Sequence, residues 1–236
     1  MQHPPSADEA RISEIFSSLR GEGTRLGERH IFIRFEECHI HCTYCDEDKP
    51  GKAMSLAQVM DQVRELEKTS GPHSFVSLTG GEPLLYQAFL KPLMQQLKAE
   101  GLKVYLETNG ILWKALEDVI GWCDFIAMDM KPASVTGERN FYDEHRRFLE
   151  ISRSKETFIK IVASKQIDLN EYEELTKIVS EVAPAVPVIL RPISTDIEGH
   201  EDPELMEILS DLQKKAARKK LDARIVPRFH KILKIR

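Results

Sequence analysis

Short apolar segments alternate along the chain with longer segments in which apolar residues recur every three or four positions. The short segments are rich in β-branched and aromatic residues, a composition typical of strands. They predict six strands, at residues 30–35, 74–78, 103–107, 125–130, 157–162 and 186–191, and a last short strand near residues 223–226.

Segments with helical periodicity lie between most of these strands. In residues 55–68 the apolar positions follow the i, i+3, i+4 spacing, and Ser55 is a suitable N-cap. Residues 89–100 repeat this spacing and precede Gly101, a residue favoured just past a helix. Further helices are predicted near residues 113–120, 142–152, 169–182 and 203–221. This alternation predicts parallel strands with right-handed crossovers, and so an α/β fold with six βα units.

Composition sets the expected domain organisation. Residues 1–10 are polar and contain proline, so we expect a flexible tail, whereas residues 11–236 show no linker and are expected to form one domain. No leader-like segment is seen at the N-terminus, and no apolar run approaches the roughly 20 residues of a membrane span. We therefore expect a cytoplasmic protein that is not bound to a membrane.

The charge distribution bears on partners. The net charge of −5 argues against a general nucleic-acid-binding protein. Residues 214–236 are nevertheless rich in Lys and Arg. This segment fits either a solvated helix face followed by a tail, or a basic rim that faces an anionic ligand.

Distinctive polar segments follow the predicted strands, at the point where each strand ends. They are ECHIHCTYCD after the first strand, TGGEP (residues 79–83) after the second, ETNG (107–110) after the third, DMK (129–131) after the fourth and RPIS (191–194) after the sixth. The carboxyl ends of parallel strands carry the chemistry in α/β sheets and barrels. The pattern predicts one shared pocket at the top of a barrel or partial barrel.

The first of these segments holds three cysteines, Cys38, Cys42 and Cys45, within eight residues. In a reducing cytosol such a group indicates a metal or catalytic site and not a disulfide. A structural zinc site needs four ligands, so His39 or His41 would have to complete it. A four-iron cluster is normally held by four thiolates, and three would leave one iron open to an outside ligand. The spacing alone leaves both sites open.

Two motifs together resemble those of the radical S-adenosylmethionine (SAM) superfamily. They are the Cys38-x3-Cys42-x2-Cys45 spacing with Tyr44 before the third cysteine, and the GGEP segment after the next strand. The resemblance implies a partial (βα)6 TIM-like barrel with the cluster loop after the first strand. It implies that the three thiolates hold a 4Fe–4S cluster whose open iron binds SAM. Reduction by a flavodoxin or ferredoxin-type protein would cleave SAM to a radical that abstracts a hydrogen atom.

The same resemblance implies the SAM contacts. The GGEP backbone should meet the amino end of SAM, and the Tyr44 ring should lie against its adenine. Asp129 and Lys131 would reach the ribose or the carboxylate, although a surface ion pair is the alternative for these two residues. The implied set is Tyr44, Gly80, Gly81, Glu82, Asp129, Met130, Lys131 and Arg191.

Further segments resemble one branch of this superfamily, the 7-carboxy-7-deazaguanine synthases of queuosine precursor biosynthesis. They are ISEIFSSLRGEG near the N-terminus, SLTGGEPLL, YLETNG, MDMKPASVTG and the ending VPRFHKILKIR. Members convert 6-carboxy-5,6,7,8-tetrahydropterin to 7-carboxy-7-deazaguanine with loss of ammonia, with the assistance of Mg²⁺, and are usually homodimers. The substrate contacts that this resemblance implies are Leu19, Arg20, Gly21, Arg34, Thr79 and His230.

The chain departs from that branch at several positions. Glu47 stands where a Thr or Ser normally helps to bind Mg²⁺, and it is a possible oxygen ligand for the same ion. The other departures that add charge are Arg20, Glu37, Arg191 and Arg228. The alternatives are a radical SAM paralogue with a different anionic substrate, an activating enzyme for a glycyl radical protein, and a zinc-bound binding module.

Overall fold

The computed structural model describes residues 8–45, 49–193 and 202–232, without the side chains of residues 230 and 231. Across this part of the chain a sheet of nine strands has the order β3-β1-β2-β4-β5-β6-β7-β8-β9. The strands are β1 (Glu9–Leu19), β2 (Arg29–Phe35), β3 (Lys52–Ser55), β4 (Phe75–Gly80), β5 (Val104–Thr108), β6 (Phe125–Met130), β7 (Glu156–Ala163), β8 (Val188–Pro192) and β9 (Ala223–Ile225).

Helices connect the strands in the described residues. They are α1 (Leu56–Ser70), α2 (Gln87–Ala99), α3 (Trp113–Val119), α4 (Ala133–Thr136), α5 (Tyr142–Ser152), α6 (Leu169–Val182), α7 (Pro203–Arg218) and α8 (Phe229–Ile232). Six of these helices begin within two residues of a predicted start, whereas the short helices α4 and α8 were not predicted. Ser55 caps α1 in a capping box, since its side chain accepts from the Gln58 amide and the Gln58 side chain accepts from the Ser55 amide. None of the helices in the described segments is long and apolar enough to cross a membrane.

The strands from β2 through β9, other than β3, form parallel pairs with their neighbours, as the sequence predicted. The α/β prediction of a partial TIM-like barrel is confirmed. The cysteine loop follows β2, the first of the parallel strands. The carboxyl ends of β2 and β4 to β8 therefore lie at one end of the barrel.

The N-terminal part of the sheet differs from the prediction. β1 pairs antiparallel with both β2 and β3. The sequence indicated neither of these pairings. β1 begins at Glu9, and Ala10 is 2% exposed, so the prediction of a flexible tail reaching residue 10 is wrong for these two residues. Neither β1 nor β3 was among the predicted strands. Alanine, glutamate and lysine, which occur in these segments, are all uncommon in strands, so the composition gave little indication of them. Residues 1–7 lie outside the described part of the chain.

Alternate residues of each parallel strand face opposite sides of the sheet. One set packs with the helices in the main core, as Val76, Leu106 and Ile161 do. The other set faces the barrel interior. Its lower layer is aromatic and contains Phe75, Tyr105, Phe125 and Phe158. Two residues beyond Tyr105 and Phe158 the inward positions are charged, at Glu107 and Lys160. On β6 the charged inward residue is Asp129, four residues beyond Phe125. The aromatic layer closes the bottom of the barrel and leaves the charged layer above it.

The loop between β1 and β2, residues 20–28, folds into the barrel. Its ends are held together because the Arg20 amide donates to the Glu28 carbonyl at 2.7 Å and the Gly27 amide donates to the Arg20 carbonyl at 2.8 Å. Gly23 has φ of +81°, and a Cβ there would lie 2.5 Å from Cζ of Phe158. A glycine is therefore required for the loop to reach the interior.

Candidate active site

Two adjoining cavities open at the carboxyl ends of the strands. The larger has a volume of about 430 Å³ and the smaller about 110 Å³. Both are lined by Cys42, Cys45, Thr79, Gly80 and Lys131, so they share a wall. The predicted shared pocket is therefore present as one site with two parts.

All three clustered cysteines line the smaller cavity. Cys38 and Cys42 pack against an apolar group formed by Ile40, Ile111 and Phe141. Burial raises the pKa of both of these thiols. Within the described segments no three His, Cys, Asp or Glu side chains converge closely enough for a single metal ion.

The glycines of the GGEP segment bring two loops into close contact. The Gly81 amide donates to the Phe35 carbonyl at 2.8 Å, and the Glu82 amide donates to the Glu37 carbonyl at 2.7 Å. A Cβ at Gly80, which has φ of +108°, would collide with the Phe35 backbone, and one at Gly81 would collide with the Glu37 carbonyl. Only glycine allows this backbone to lie beside the cysteine loop.

The Glu82 carboxylate is fully buried and fastens the end of β4 to the end of β5. It accepts hydrogen bonds from the Leu84 amide at 3.0 Å, the Thr108 hydroxyl at 2.9 Å and the Asn109 amide at 2.8 Å. Burial raises its pKa to about 7, against the opposing effect of these hydrogen bonds. The side chain faces the turn after β5, and Glu82 is absent from the lining of the two cavities among the described residues.

A network of buried charges forms the inner wall of the larger cavity. The Lys160 Nζ atom lies 3.0 Å from Asp129, 3.1 Å from Glu107 and 3.7 Å from Glu22. The Arg20 Nη1 atom lies 2.6 Å from the Glu107 carboxylate. Although burial opposes it, the cations Arg20 and Lys160 hold the pKa of Glu107 well below its usual range. Glu107 is thus ionised at neutral pH.

Two further cations complete this wall. Arg191 lies 3.6 Å from Glu22, and Lys131 lies 3.2 Å from Asp129. The Lys131 Nζ atom is also 5.7 Å from the centroid of the Tyr44 ring. With Arg20 and Lys160, these residues place four cations against the carboxylates of Glu22, Glu107 and Asp129. The inner wall therefore has an excess of positive charge and suits an anionic ligand.

An aromatic surface and a second group of charges form the opposite side of the larger cavity. The rings of Phe16 and Phe32 stack with their centroids 5.2 Å apart, and the Arg34 guanidinium lies 5.2 Å from the Phe16 ring centroid. Glu14 accepts from Lys49 at 2.6 Å and lies 3.9 Å from Arg34. This side offers a flat apolar surface beside a cation.

The model of the radical SAM superfamily matches residues 32–164. A 7-carboxy-7-deazaguanine synthase of Geobacter sulfurreducens is 36% identical, over 95% of this chain and 97% of that protein.

The chain belongs to the 7-carboxy-7-deazaguanine synthase family of radical SAM enzymes.

Other members show the same full-length match. The 7-carboxy-7-deazaguanine synthase of Methanothermobacter thermautotrophicus is 29% identical over 96% of this chain and 98% of its own length. Among solved structures, QueE from Escherichia coli covers 92% of this chain and 93% of its own, with a TM-score of 0.63 and 18% identity. Streptococcus suis SuiB bound to S-adenosylmethionine covers 81% of this chain and 48% of its own, with a TM-score of 0.60 and 16% identity. These structures support the barrel fold.

Most residues that the radical SAM and synthase resemblances implied come together, and Arg228, one of the departures from the family, lies beside them. The larger cavity is lined by Leu19, Arg20, Gly21, Arg34, Tyr44, Thr79, Gly80, Asp129, Lys131, Arg191 and Arg228, and the smaller adds Cys38 and Gly81. The Met130 side chain packs in the main core instead. Glu47 and the His230 side chain lie outside the described residues.

The sequence did not single out Glu22 or Lys160, and it placed Glu107 in the predicted pocket, as part of ETNG, without assigning it a contact. Lys160 is the one charged residue in the apolar segment TFIKIV, at an inward position of β7. A lone charge inside a strand that is otherwise buried was the available signal. Glu22 gave no such signal, because its burial depends on how the loop of residues 20–28 enters the barrel.

Proposed function

We propose that this protein converts 6-carboxy-5,6,7,8-tetrahydropterin to 7-carboxy-7-deazaguanine with loss of ammonia, using a 4Fe–4S cluster and SAM. The observation that carries the proposal is the junction of the two cavities, where the cysteine loop meets a large charged pocket. The end-to-end match to named synthases supports the same reaction.

The smaller cavity is suited to the cluster. Cys38, Cys42 and Cys45 supply three thiolates, which leave one iron of a four-iron cluster open. The apolar residues Ile40 and Phe141 shield the site from water. When bound, the cluster supplies the electron for reductive cleavage of SAM.

The shared wall between the cavities is suited to SAM. Gly80 and Gly81 expose backbone beside the cysteine loop, where the amino acid part of SAM would reach the open iron. Tyr44 and Lys131 lie on the side of the larger cavity and would contact the adenosine part. Asp129, which is paired with Lys131, is placed to accept from the ribose.

The rest of the larger cavity is suited to the pterin. Its planar pyrimidinone ring would lie along the surface made by Phe16 and Phe32, with the carboxylate at Arg34, since a guanidinium pairs well with a carboxylate. On the inner wall, Nη2 of Arg20 is buried and has no hydrogen-bond partner within the described residues. That nitrogen would donate to an oxygen of the substrate, which would satisfy it.

The proposal also includes a metal ligand, a reductant and an assembly state. Glu47 is proposed as an oxygen ligand of Mg²⁺, because a carboxylate is a hard ligand that this ion prefers. A flavodoxin or ferredoxin-type protein is proposed as the reductant, and a homodimer as the assembly. Sedimentation equilibrium tests the assembly directly.

The proposed reaction is tested with anaerobically reconstituted protein, the carboxytetrahydropterin, SAM, dithionite and Mg²⁺. We expect 7-carboxy-7-deazaguanine and ammonia, detected by mass spectrometry and an ammonia assay. Arg34→Met should reduce product formation, whereas Arg64→Met, on the exposed surface of α1, should not. Cleavage of SAM without the deazaguanine would show that the substrate is a different one. A colourless protein that holds one zinc ion would overturn the radical chemistry itself.

A further inference from the structure

The side-chain amide of Asn109 lies beside one cluster cysteine in the smaller cavity. Its Nδ2 atom is 3.9 Å from Sγ of Cys38, within hydrogen-bond distance for sulfur. Asn109 is 5% exposed and follows the end of β5, so the contact is shielded from water. Nothing in the reaction proposed above requires an amide at this place.

The orientation of this amide is fixed by the surrounding hydrogen bonds. The Ile111 amide donates to Oδ1 of Asn109 at 3.2 Å, an interaction that closes a short turn. A backbone N–H needs an acceptor, so the oxygen of the Asn109 side chain must face Ile111. The NH₂ group must then face Cys38.

The backbone of Asn109 is held from two further sides. Its amide donates to Glu82, at 2.8 Å, and its carbonyl lies 3.3 Å from Nε2 of His145. Burial lowers the pKa of His145 to about 4, so the ring is neutral and carries one proton. Because a carbonyl only accepts, that proton is on Nε2. Both contacts position the turn, and with it the donor that faces Cys38.

We propose that Asn109 raises the reduction potential of the cluster by donating an N–H···S hydrogen bond to the Cys38 thiolate. This rests on the proposed function, in which Cys38 is a cluster ligand. Reduction adds one negative charge to the cluster and its thiolates. A donor aimed at the sulfur stabilises that charge, and hydrogen bonds to sulfur are one determinant of cluster potentials. The apolar surroundings of Ile40 and Phe141 strengthen the interaction, because little water screens it.

Two substitutions test this with the reconstituted full chain. Asn109→Ser retains an oxygen that can accept from the Ile111 amide but removes the amide donor. Asn109→Asp retains the acceptor and places a carboxylate oxygen against the sulfur. The midpoint potential, from EPR-monitored titration without SAM, should fall from wild type to Ser and further to Asp. For Ser we expect a reduced-to-oxidised ratio about tenfold lower at a fixed applied potential, or about 59 mV for one electron.

Thr43→Val is the matched control, because the Thr43 hydroxyl is in the same loop but donates to the Val135 carbonyl, at 3.1 Å. Its midpoint should equal that of the wild type. Equal midpoints for wild type, Ser and Asp, each with full iron and sulfide content, would overturn the proposal. Failure of the wild type to hold a four-iron cluster would instead overturn the proposed function.

A measurement on the wild type alone covers the case in which the variants do not take up iron. Protein labelled with ¹⁵N-asparagine should show a weak ¹⁵N coupling to the reduced cluster in pulsed EPR. The unlabelled protein provides the baseline for that coupling. Absence of the coupling would place the Asn109 amide away from the cluster and would overturn the proposal.

Discussion

The Nη1 atom of Arg20 lies 2.6 Å from the Glu107 carboxylate, joining the loop between β1 and β2 to the end of β5 inside the barrel. The guanidinium of Arg20 also lies over the Tyr105 ring, with 4.7 Å between Cζ and the ring centroid. Arg20 lines the larger cavity, and its buried Nη2 atom has no hydrogen-bond partner within the described residues. Arg20 therefore fastens the loop and has one donor that the loop contacts do not use.

Replacement of Arg20 should reduce activity, and the reduction should be larger when the new side chain has no hydrogen-bond donor. We expect Arg20→Met to lower kcat/KM about 10- to 100-fold, the effect of losing a hydrogen bond from a charged group of roughly 1.5–3 kcal/mol. Arg20→Gln, which retains an amide donor, should recover part of that loss. Steady-state kinetics at equal cluster content checks this. Equal rates for the Met and Gln variants would show that Nη2 does not meet the substrate.

Lys160 is surrounded by three carboxylates and has a side chain that is 4% exposed. Lys160→Met would leave Glu22, Glu107 and Asp129 with less compensating charge. We expect a loss of about 3–5 kcal/mol in the free energy of unfolding, the usual cost of breaking a buried ion pair. Urea denaturation measures it.

Lys165 provides a matched control for this substitution. Its ammonium also contacts two carboxylates, Asp202 and Glu204, but on the exposed surface. Lys165→Met should leave the denaturation midpoint near that of the wild type, because solvent screens exposed pairs. Similar midpoints for the Lys160 and Lys165 variants would contradict the network described here.

Alanine substitutions at two glycines of the loop at residues 20–28 should distinguish the cost of backbone strain from the cost of a steric collision. Gly23 and Gly27 have φ of +81° and +86°, but only at Gly23 would a Cβ collide with a neighbour, Phe158. Gly27→Ala should cost about 1–2 kcal/mol of stability from the left-handed backbone. Gly23→Ala should cost a further 1–3 kcal/mol or so from overpacking, and should lower kcat/KM by displacing the loop. Thermal denaturation and kinetics of the two variants provide the comparison.

The pH dependence of stability should reflect His30, which is fully buried and bonded to the Ser77 hydroxyl at 2.7 Å. Burial, and next to it the charge of Arg20, lowers the pKa of His30 to about 3 from 6.5. The neutral ring is therefore favoured in the folded state, and the unfolded chain takes up a proton below pH 6.5. This contribution to stability is complete above pH 6.5 and is lost as the pH falls towards 3.

His30→Asn removes this titrating group. Relative to the variant, wild-type stability should fall by up to about 1.4 kcal/mol per pH unit within that window, one proton's worth. Urea denaturation of both iron-free proteins from pH 7 to 4 measures the difference, in which the other titrating groups cancel. Parallel curves for the two proteins would mean that His30 binds its proton equally in the folded and unfolded states, so that its pKa is not lowered by folding.

The sequence predicted those parts of the structure that are determined by the residues of one short segment. The parallel strands are buried along most of their length, as β6 and β7 are, and lie between amphipathic helices, so both kinds of element were recognisable. The cysteine loop was recognisable because all three thiols lie in one short segment. Helix α1 was placed by Ser55, whose capping partner is only three residues away.

The parts that were missed depend on contacts between distant segments. Glu107 joins a charge network because it pairs with Arg20 and Lys160. Neither residue is near it in sequence, so the sequence could not show whether Glu107 lies in this network or in a simple turn. Likewise, Ala10 is buried because β1 pairs with β3, a pairing between distant parts of the chain. Such pairings depend on closure of the whole barrel, which periodicity within one segment does not report.

Along β8, Leu190 packs among the helices while its neighbour Arg191 faces the ligand cavity. A shift of this strand by one residue against β7 would exchange the two, placing a guanidinium in the apolar core and an isobutyl group before the substrate. The pairing of Ile161 with Leu190 prevents that exchange. The apolar residues that face away from the reaction thus determine which charges the reacting molecule meets.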